Sequence, residues 1–169
     1  MTFEEFAASR LPAVLAFAAM LTGQRATAED IAQEVLTRAC ARWDKIGGLD
    51  RPEFYVRKMV LNEFLSWRRR SGRLVLAGDA AAATQSTSDL ADQYADRSAL
   101  LAEISKLPRR QRAVLVLRYY EDRSDAQIAE LLGCRPATVR AYASRALAAL
   151  RIEMGSQPGN LAAHGRSEV

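Results

Sequence analysis

The chain has 169 residues, a net charge of +4, 49% hydrophobic residues and 26% charged residues. This balance fits one ordinary or two small folded domains and excludes a chain that is disordered throughout. No apolar run approaches the ~20 residues of a membrane span, and the acidic N-terminus lacks the basic start of a secretory signal, so we expect a cytoplasmic protein with no membrane partner. The two cysteines, Cys40 and Cys134, are expected to be small, partly buried residues.

Basic residues fall in two separate blocks. Residues 51–76 contain seven basic and two acidic residues, and residues 135–151 contain four arginines and no acid. Residues 77–96, between them, contain four aspartates and no lysine or arginine. Two basic blocks predict two contacts with a polyanion, although a basic run by itself is more often a solvated face.

Helical patterns fill the N-terminal half. Residues 3–22 predict one helix, or two helices interrupted near Pro12. After a turn, Thr27 is expected to cap a second helix whose apolar residues recur at helical spacing. A further helix is expected from Pro52, which suits a first helical turn, to Arg70.

The composition changes after this half. Residues 73–97 are rich in Ala, Ser, Thr, Asp and Gln, which predicts a linker. Helical patterning resumes near Ser98, and residues 153–169 predict a disordered tail. Because no strand pattern is present, we expect an all-α fold, with two small helical domains (residues 1–72 and 98–152) joined by a flexible linker.

A helix-turn-helix is predicted within the C-terminal domain. Ser124 and Gln127 have the spacing of a capping box. Gly133 suits the left-handed geometry of the turn, and Pro136 suits the first position of the second helix. The outward face of that helix carries side chains that can bind phosphates or base edges in a major groove, namely Arg135, Thr138, Arg140, Ala141, Ser144 and Arg145. A helical hairpin without DNA binding is the alternative.

The sequence around this motif resembles region 4 of the extracytoplasmic-function (ECF) sigma factors. The resemblance is carried by LPRRQRAVLVLRYYED at 107–122, IAELLGC at 128–134, and the stretches TVR and SRAL that follow. The N-terminal half resembles region 2 of the same family, through AEDIAQEV at 28–35, YVRKMVLN at 55–62 and WRRR at 67–70. Both halves occur in the family's order, so the chain is identified as a member of this family.

The resemblance implies an alternative sigma factor that binds RNA polymerase core and directs it to promoters with −35 and −10 elements. Asp30, Gln33 and Glu34 match the helix that docks on the β′ clamp helices in this family. An exposed acidic and polar face suits such a contact, although solvated helix residues are the alternative. The family also implies a contact with the β flap, and an anti-sigma factor is a further possible partner.

The helix that follows the loop at 48–51 matches the family's −10-recognition and melting helix. The positions assigned to −10 DNA by this match are Tyr55, Arg57, Lys58, Asn62, Arg68, Arg69 and Arg70. The amide of Asn62 can bind a base edge, and the basic residues can hold the backbone. For Phe54, Phe64 and Trp67, a role in the core is favoured over base stacking.

A few positions depart from the family pattern. Gln127 stands where Glu is frequent, the pair Arg135 and Pro136 replaces a small or acidic start of the recognition helix, and Ala141 and Tyr142 replace a commoner polar pair. These differences do not change the predicted fold, but they leave open which −35 sequence the chain prefers.

Other classes of function fit the sequence less well. The one histidine, His164, lies in the predicted tail, and the sequence has no phosphate-binding loop or zinc-ligand spacing, so no enzyme, cofactor or metal site is expected. A stand-alone helix-turn-helix regulator could share the C-terminal motif, but the region 2 motifs argue against it. A helical module that binds only proteins would be favoured by a loss of basic residues at the DNA faces, and both faces keep them.

Overall fold

The computed structural model of the chain describes residues 1–71 and 91–155. These residues form α-helices and one π-helical turn with no strand among them, which confirms the expected all-α fold. In chain order the elements are α1 (Phe3–Thr22), α2 (Arg25–Cys40), α3 (Trp43–Ile46), α4 (Pro52–Ser71), α5 (Ala91–Lys106), α6 (Arg109–Leu115), the π-helical turn (Val116–Tyr120), α7 (Asp125–Leu132) and α8 (Pro136–Gly155).

Helix α1 is continuous, whereas the sequence allowed a break near Pro12. The helix begins with a capping box in which Thr2 Oγ1 accepts a hydrogen bond from the Glu5 N–H at 3.2 Å. Pro12 lies on the exposed side, where water can reach the carbonyl that proline leaves without a backbone donor. The opposite side is anchored by buried apolar residues, namely Phe6, Val14, Phe17, Ala18 and Leu21. This burial keeps the helix intact through the proline.

By length and composition alone, α1 could cross a membrane, which contradicts the expectation that no segment meets that test. Its largest side chains are packed inside the protein, since Phe6 and Phe17 are both 0% exposed. Helices α2 and α4 cover them. In this fold α1 is therefore the central core helix of the N-terminal half.

Helix α2 begins at Arg25, so Thr27 lies inside the helix and its predicted capping role is wrong. Thr27 Oγ1 instead donates to Gln24 Oε1 at 3.1 Å. The predicted amphipathic pattern is present, with one side buried at Ala28, Ile31, Ala32, Val35 and Ala39. Cys40 at the end of the helix is exposed, contrary to expectation, whereas Cys134 is partly buried as expected.

Helix α4 begins at Pro52, as predicted. It packs on α1 and α2 through buried apolar residues, namely Val56, Val60, Leu61 and Phe64. Phe54 is partly buried against the same core, so the core role expected for both phenylalanines is confirmed. The side chain of Trp67 lies outside the described residues.

The C-terminal half consists of α5 to α8 with the π-helical turn. Helix α5 starts at Ala91, seven residues before the helical pattern was expected to resume. Helix α8 continues to Gly155, slightly beyond the predicted domain end. Residues 72–90 and 156–169, which hold most of the predicted linker and tail, lie outside the described residues.

The two halves pack against each other, which the sequence did not predict. Helix α6 contacts both α1 and α4, and α5 contacts α1. Buried side chains from both halves, including Leu21, Phe64 and Val114, form a single apolar cluster. The Arg112 guanidinium joins the halves by donating through Nη1 to the backbone oxygen of Leu21 at 2.9 Å.

Candidate nucleic-acid interface

Helices α7 and α8 form the predicted helix-turn-helix. The Ser124 N–H donates to Gln127 Oε1 at 3.0 Å, and Ser124 Oγ accepts from the Gln127 N–H at 3.3 Å, which is a complete capping box. Gly133 ends α7 with φ at +63°, in the left-handed region. Helix α8 then begins at Pro136. Each predicted local signal of this motif is therefore found where the sequence placed it.

One side of α8 is buried and the opposite side is open. The buried side carries Val139, Ala143, Ala146 and Leu150, which pack on α6 and α7. Of the six residues predicted to face DNA, four are exposed (Arg135, Arg140, Ser144 and Arg145) and two are half-buried (Thr138 and Ala141). The structure thus brings this predicted set together around the outward side of one helix.

Asp125, which the sequence analysis did not single out, lies between two arginines of this motif. Its carboxylate accepts a hydrogen bond from Arg118 of the π-helical turn, and its Oδ2 lies 3.9 Å from Arg140 Nη1. The hydrogen bond to Asp125 raises the pKa of Arg118. The side chain of Arg140 remains 62% exposed, so Asp125 limits its position without covering it.

The −10 residues predicted on α4 divide between two sides of that helix. Tyr55, Lys58 and Asn62 follow one another at three- and four-residue spacing and so share one side, with Tyr55 39% exposed and Asn62 also exposed. Arg57 projects from another side, toward the C-terminal half. The side chains of Arg68, Arg69 and Arg70 lie outside the described residues. The structure thus groups three of the seven predicted residues and separates Arg57 from them.

Arg57 forms an ion pair across the two halves. Its Nε lies 3.1 Å from Glu121 Oε2, and the Glu121 side chain is only 7% exposed. Arg123 approaches the same carboxylate at 3.8 Å and also stacks over the Phe54 ring at 5.6 Å from its centroid. Sequence reasoning missed Glu121 and Arg123, since nothing in their local pattern indicates a partner more than 60 positions away.

Asp30, Gln33 and Glu34 are all exposed on α2, opposite its buried side. Glu34 Oε1 lies 3.3 Å from Arg38 Nε, and Arg38 also bonds to Glu63, so this face is linked to α4. The three residues predicted to dock on a partner therefore lie together and are accessible.

An apolar groove of about 720 Å³ runs beside this face, between α1 and α2. Its walls include Leu11 and Leu15 from α1 and Leu36 from α2, and Gln33 lies on its edge. Leu11 is 38% exposed there. The polar face of α2 is thus continuous with an open apolar groove, the kind of surface that amphipathic helices occupy in helix-in-groove complexes.

Among the described residues, no group of three His, Cys, Asp or Glu side chains is arranged to hold a metal ion.

Comparison with protein families finds two matches, in the order that the sequence motifs indicated. The description "Sigma-70 region 2" matches residues 6–74, and the description "Sigma-70, region 4" matches residues 97–150. Together these matches cover most of the chain and include every surface described above.

Similar curated proteins carry the same kind of name. The chain is 33% identical over 168 residues to the RNA polymerase sigma-E factor of Streptomyces avermitilis, covering 99% of this chain and 93% of that protein. It is 36% identical over 144 residues to the ECF RNA polymerase sigma factor SigL of Mycobacterium tuberculosis, covering 82% and 80% of the two chains. Among solved structures, it is similar to the sigma factor RpoE of Bartonella quintana, determined in complex with the anti-sigma factor NepR. That match has a TM-score of 0.65 and 26% identity, over 90% of this chain and 96% of that one.

Proposed function

The chain belongs to the ECF group of the sigma-70 family, and from this membership we propose which of its surfaces bind promoter DNA and which bind RNA polymerase. As an alternative sigma factor, it associates with RNA polymerase and directs the initiation of transcription at promoters. The observation that carries the assignment is the arginine-bearing outward side of α8, presented by a complete helix-turn-helix in the same chain as a region 2 domain.

The outward side of α8 is proposed to bind the −35 element in the major groove. Arg140 and Arg145 are exposed and can make bidentate hydrogen bonds to guanine or hold phosphates, and the hydroxyl of Ser144 can bind either. Asp125 would limit the orientations available to Arg140. The unusual start of this helix at Arg135 and Pro136 is where we expect the −35 preference to differ from that of relatives.

The side of α4 that carries Tyr55, Lys58 and Asn62 is proposed to bind the −10 element as its strands separate. An exposed tyrosine ring can stack on an unpaired base, and an exposed amide can bind a base edge. Arg57, Arg68, Arg69 and Arg70 are proposed to hold the backbone. Of these, Arg57 is paired with Glu121 in the structure and must be released first.

Asp30, Gln33 and Glu34 are proposed to bind the β′ clamp helices of RNA polymerase, while the C-terminal domain binds the β flap. The apolar groove beside the three residues supports a contact with a helix, because apolar burial supplies affinity where exposed charge mainly supplies orientation. Since the similar RpoE structure contains an anti-sigma factor, we also propose an anti-sigma partner for this chain.

We propose that the two domains comprise residues 1–72 and 98–152.

The family consists of transcription initiation factors that are not enzymes, and we propose that this chain likewise catalyses no reaction of its own. A protein that acts on DNA-bound polymerase works where the chromosome lies, so we propose that it is cytoplasmic.

The deciding experiment is run-off transcription with purified core polymerase, this protein and a library of promoter sequences. The proposal predicts transcripts that depend on both the protein and a recurring pair of promoter elements. The matched control replaces Arg140 and Arg145 by alanine, which should remove the dependence on the −35 element and leave core binding intact. A protein that binds duplex DNA alone but yields no promoter-dependent transcript would instead be a stand-alone regulator.

A further inference from the structure

Asp125 connects the π-helical turn to the helix proposed to bind the −35 element. It is the first residue of α7, directly after the cap residue Ser124. One of its carboxylate oxygens accepts a hydrogen bond from Arg118, and the other lies 3.9 Å from Arg140 Nη1. A single carboxylate therefore pairs with two arginines that belong to different elements.

The carboxylate of Asp125 is held in place, whereas its partner on α8 is open to solvent. The capping box fixes the start of α7, and Arg118 bonds to the carboxylate from a side chain that is only 24% exposed. On α8, Val139 is 0% exposed and anchors the backbone beside Arg140. The Arg140 side chain is 62% exposed, so it can still reach DNA while Asp125 limits where it points.

A carboxylate beside an arginine affects the two kinds of DNA contact differently. Phosphates are the same in every sequence, and a guanidinium whose charge is partly offset attracts them less. A bidentate hydrogen bond to guanine depends instead on direction, and a guanidinium with one end held by a carboxylate presents its other N–H donors in fewer directions. The pairing therefore weakens the contacts that carry no sequence information and favours the contact that does.

We propose that Asp125 is a specificity-determining residue for the −35 element, which positions Arg140 to read one base pair and disfavours its binding to phosphates. Arg118 anchors Asp125 in this arrangement. Asp125 itself touches no base and acts through Arg140, so it is a positioning residue. Its effect is on the difference between affinities for two sequences, which is what specificity means. The inference rests on the proposed −35 role of Arg140.

The test compares polymerase complexes of the wild type and Asp125→Asn on a duplex promoter library that is randomised over the −35 element. Sequencing of the bound fraction gives the base preference, and a duplex without promoter elements gives the sequence-independent affinity. Asparagine keeps the shape of the side chain and an oxygen that can accept from Arg118, and urea denaturation checks that the fold is kept.

Glu130→Gln is the matched control. It removes the same charge from an exposed position on α7, and Arg118 and Arg140 pair with Asp125 and not with Glu130. It should leave the base preference unchanged. An effect of Glu130→Gln equal to that of Asp125→Asn would overturn the proposal, because the preference would then follow overall charge.

Asp125→Asn should lower the preference for the favoured base at one −35 position about threefold, as expected for one partly exposed ion pair. It should raise the affinity for the duplex without promoter elements about twofold at low salt, and this gain should shrink as salt is added. The two changes have opposite signs, whereas a structural defect in the helix-turn-helix would lower both kinds of binding.

An Arg140→Ala background decides whether Asp125 acts through Arg140. In that background Asp125→Asn should have no effect on base preference. A preference that still changes there, or that Asp125→Asn leaves unchanged in the wild-type background, would overturn the role of Asp125 and leave the proposed function intact. A wild-type complex that binds every sequence of the library equally would overturn the proposed −35 contact, and this inference with it.

Discussion

Arg38 and Glu63 connect α2 to α4 through a hydrogen-bonded ion pair whose acidic partner is almost completely buried. Glu63 is 2% exposed, although it lies on a helix side otherwise occupied by Val60 and Phe64. Arg38 reaches it from the end of α2 while its own side chain remains 37% exposed. A buried carboxylate is costly without a cationic partner, so Arg38 offsets the desolvation of Glu63 and fixes how the two helices align.

We therefore expect Arg38→Gln to destabilise the protein by about 2–3 kcal/mol, because Glu63 would keep its burial and lose this ion pair. Urea denaturation followed by circular dichroism measures the change. Arg25→Gln is the matched control, since Arg25 pairs with Glu29 on the same helix but both side chains are exposed, and it should leave the urea midpoint unchanged. Equal urea midpoints for the two variants would show that the buried ion pair contributes no more to the stability of the fold than the exposed one does.

Gly133→Ala tests the turn between α7 and α8. A Cβ at this position would meet no atom within 4 Å, so the whole cost comes from the backbone φ of +63°. The left-handed conformation costs a residue with a side chain about 1–2 kcal/mol. We expect the free energy of unfolding to fall by this amount, which a lower midpoint of urea denaturation would show.

Gly133→Asn serves as the control for Gly133→Ala, because asparagine adopts left-handed φ values more readily than alanine. It should recover part of the lost stability although its side chain is larger. An asparagine variant less stable than the alanine variant would mean that crowding, and not φ, decides this position.

The sequence predicted those features that depend on neighbouring residues. The capping box at Ser124, the left-handed Gly133 and the start of α8 at Pro136 each follow from a few adjacent side chains and were found as predicted. The sequence left a break at Pro12 open, because the local pattern does not show that apolar burial along α1 outweighs the missing hydrogen bond. Thr27 was misjudged because α2 begins at Arg25, two residues before it, without a side-chain cap hydrogen bond at Gln24.

Contacts between distant positions could not be predicted in this way. Arg57 was predicted only as a DNA contact and Arg112 was given no individual role, yet each is fixed by a group more than 60 positions away in the chain. No local periodicity records such a pairing, because it depends on how two finished helical units meet. The division of the −10 residues between two sides of α4, in contrast, follows from helical spacing alone and could have been predicted.

Reversing Asp30 and Glu34 to lysine should weaken binding to core polymerase at least about tenfold, or about 1.4 kcal/mol, without unfolding the domain. Both side chains are exposed on α2, so the fold tolerates the change. The affinity of a fluorescently labelled protein for core polymerase measures the effect.

The control for this charge reversal is Glu4→Lys combined with Asp44→Lys, which makes the same total change of charge at exposed positions outside the proposed docking face. It should bind core polymerase like the wild type. If both double variants lose affinity equally, the effect is one of overall charge and the docking face is placed wrongly.

Arg145→Ala should weaken binding of the polymerase complex to its −35 element by about 1–3 kcal/mol, with the loss concentrated at one base pair. Arg145 is exposed on the outward side of α8, opposite the buried Val139 and Ala146, and so points where a major groove would lie. Competition between promoter duplexes substituted at single −35 positions measures the loss. Arg151→Ala, an exposed arginine further along the same helix, should leave the order of preference unchanged. A uniform loss on every duplex, with a shallower dependence on salt, would mean that Arg145 holds a phosphate and that another residue reads the base.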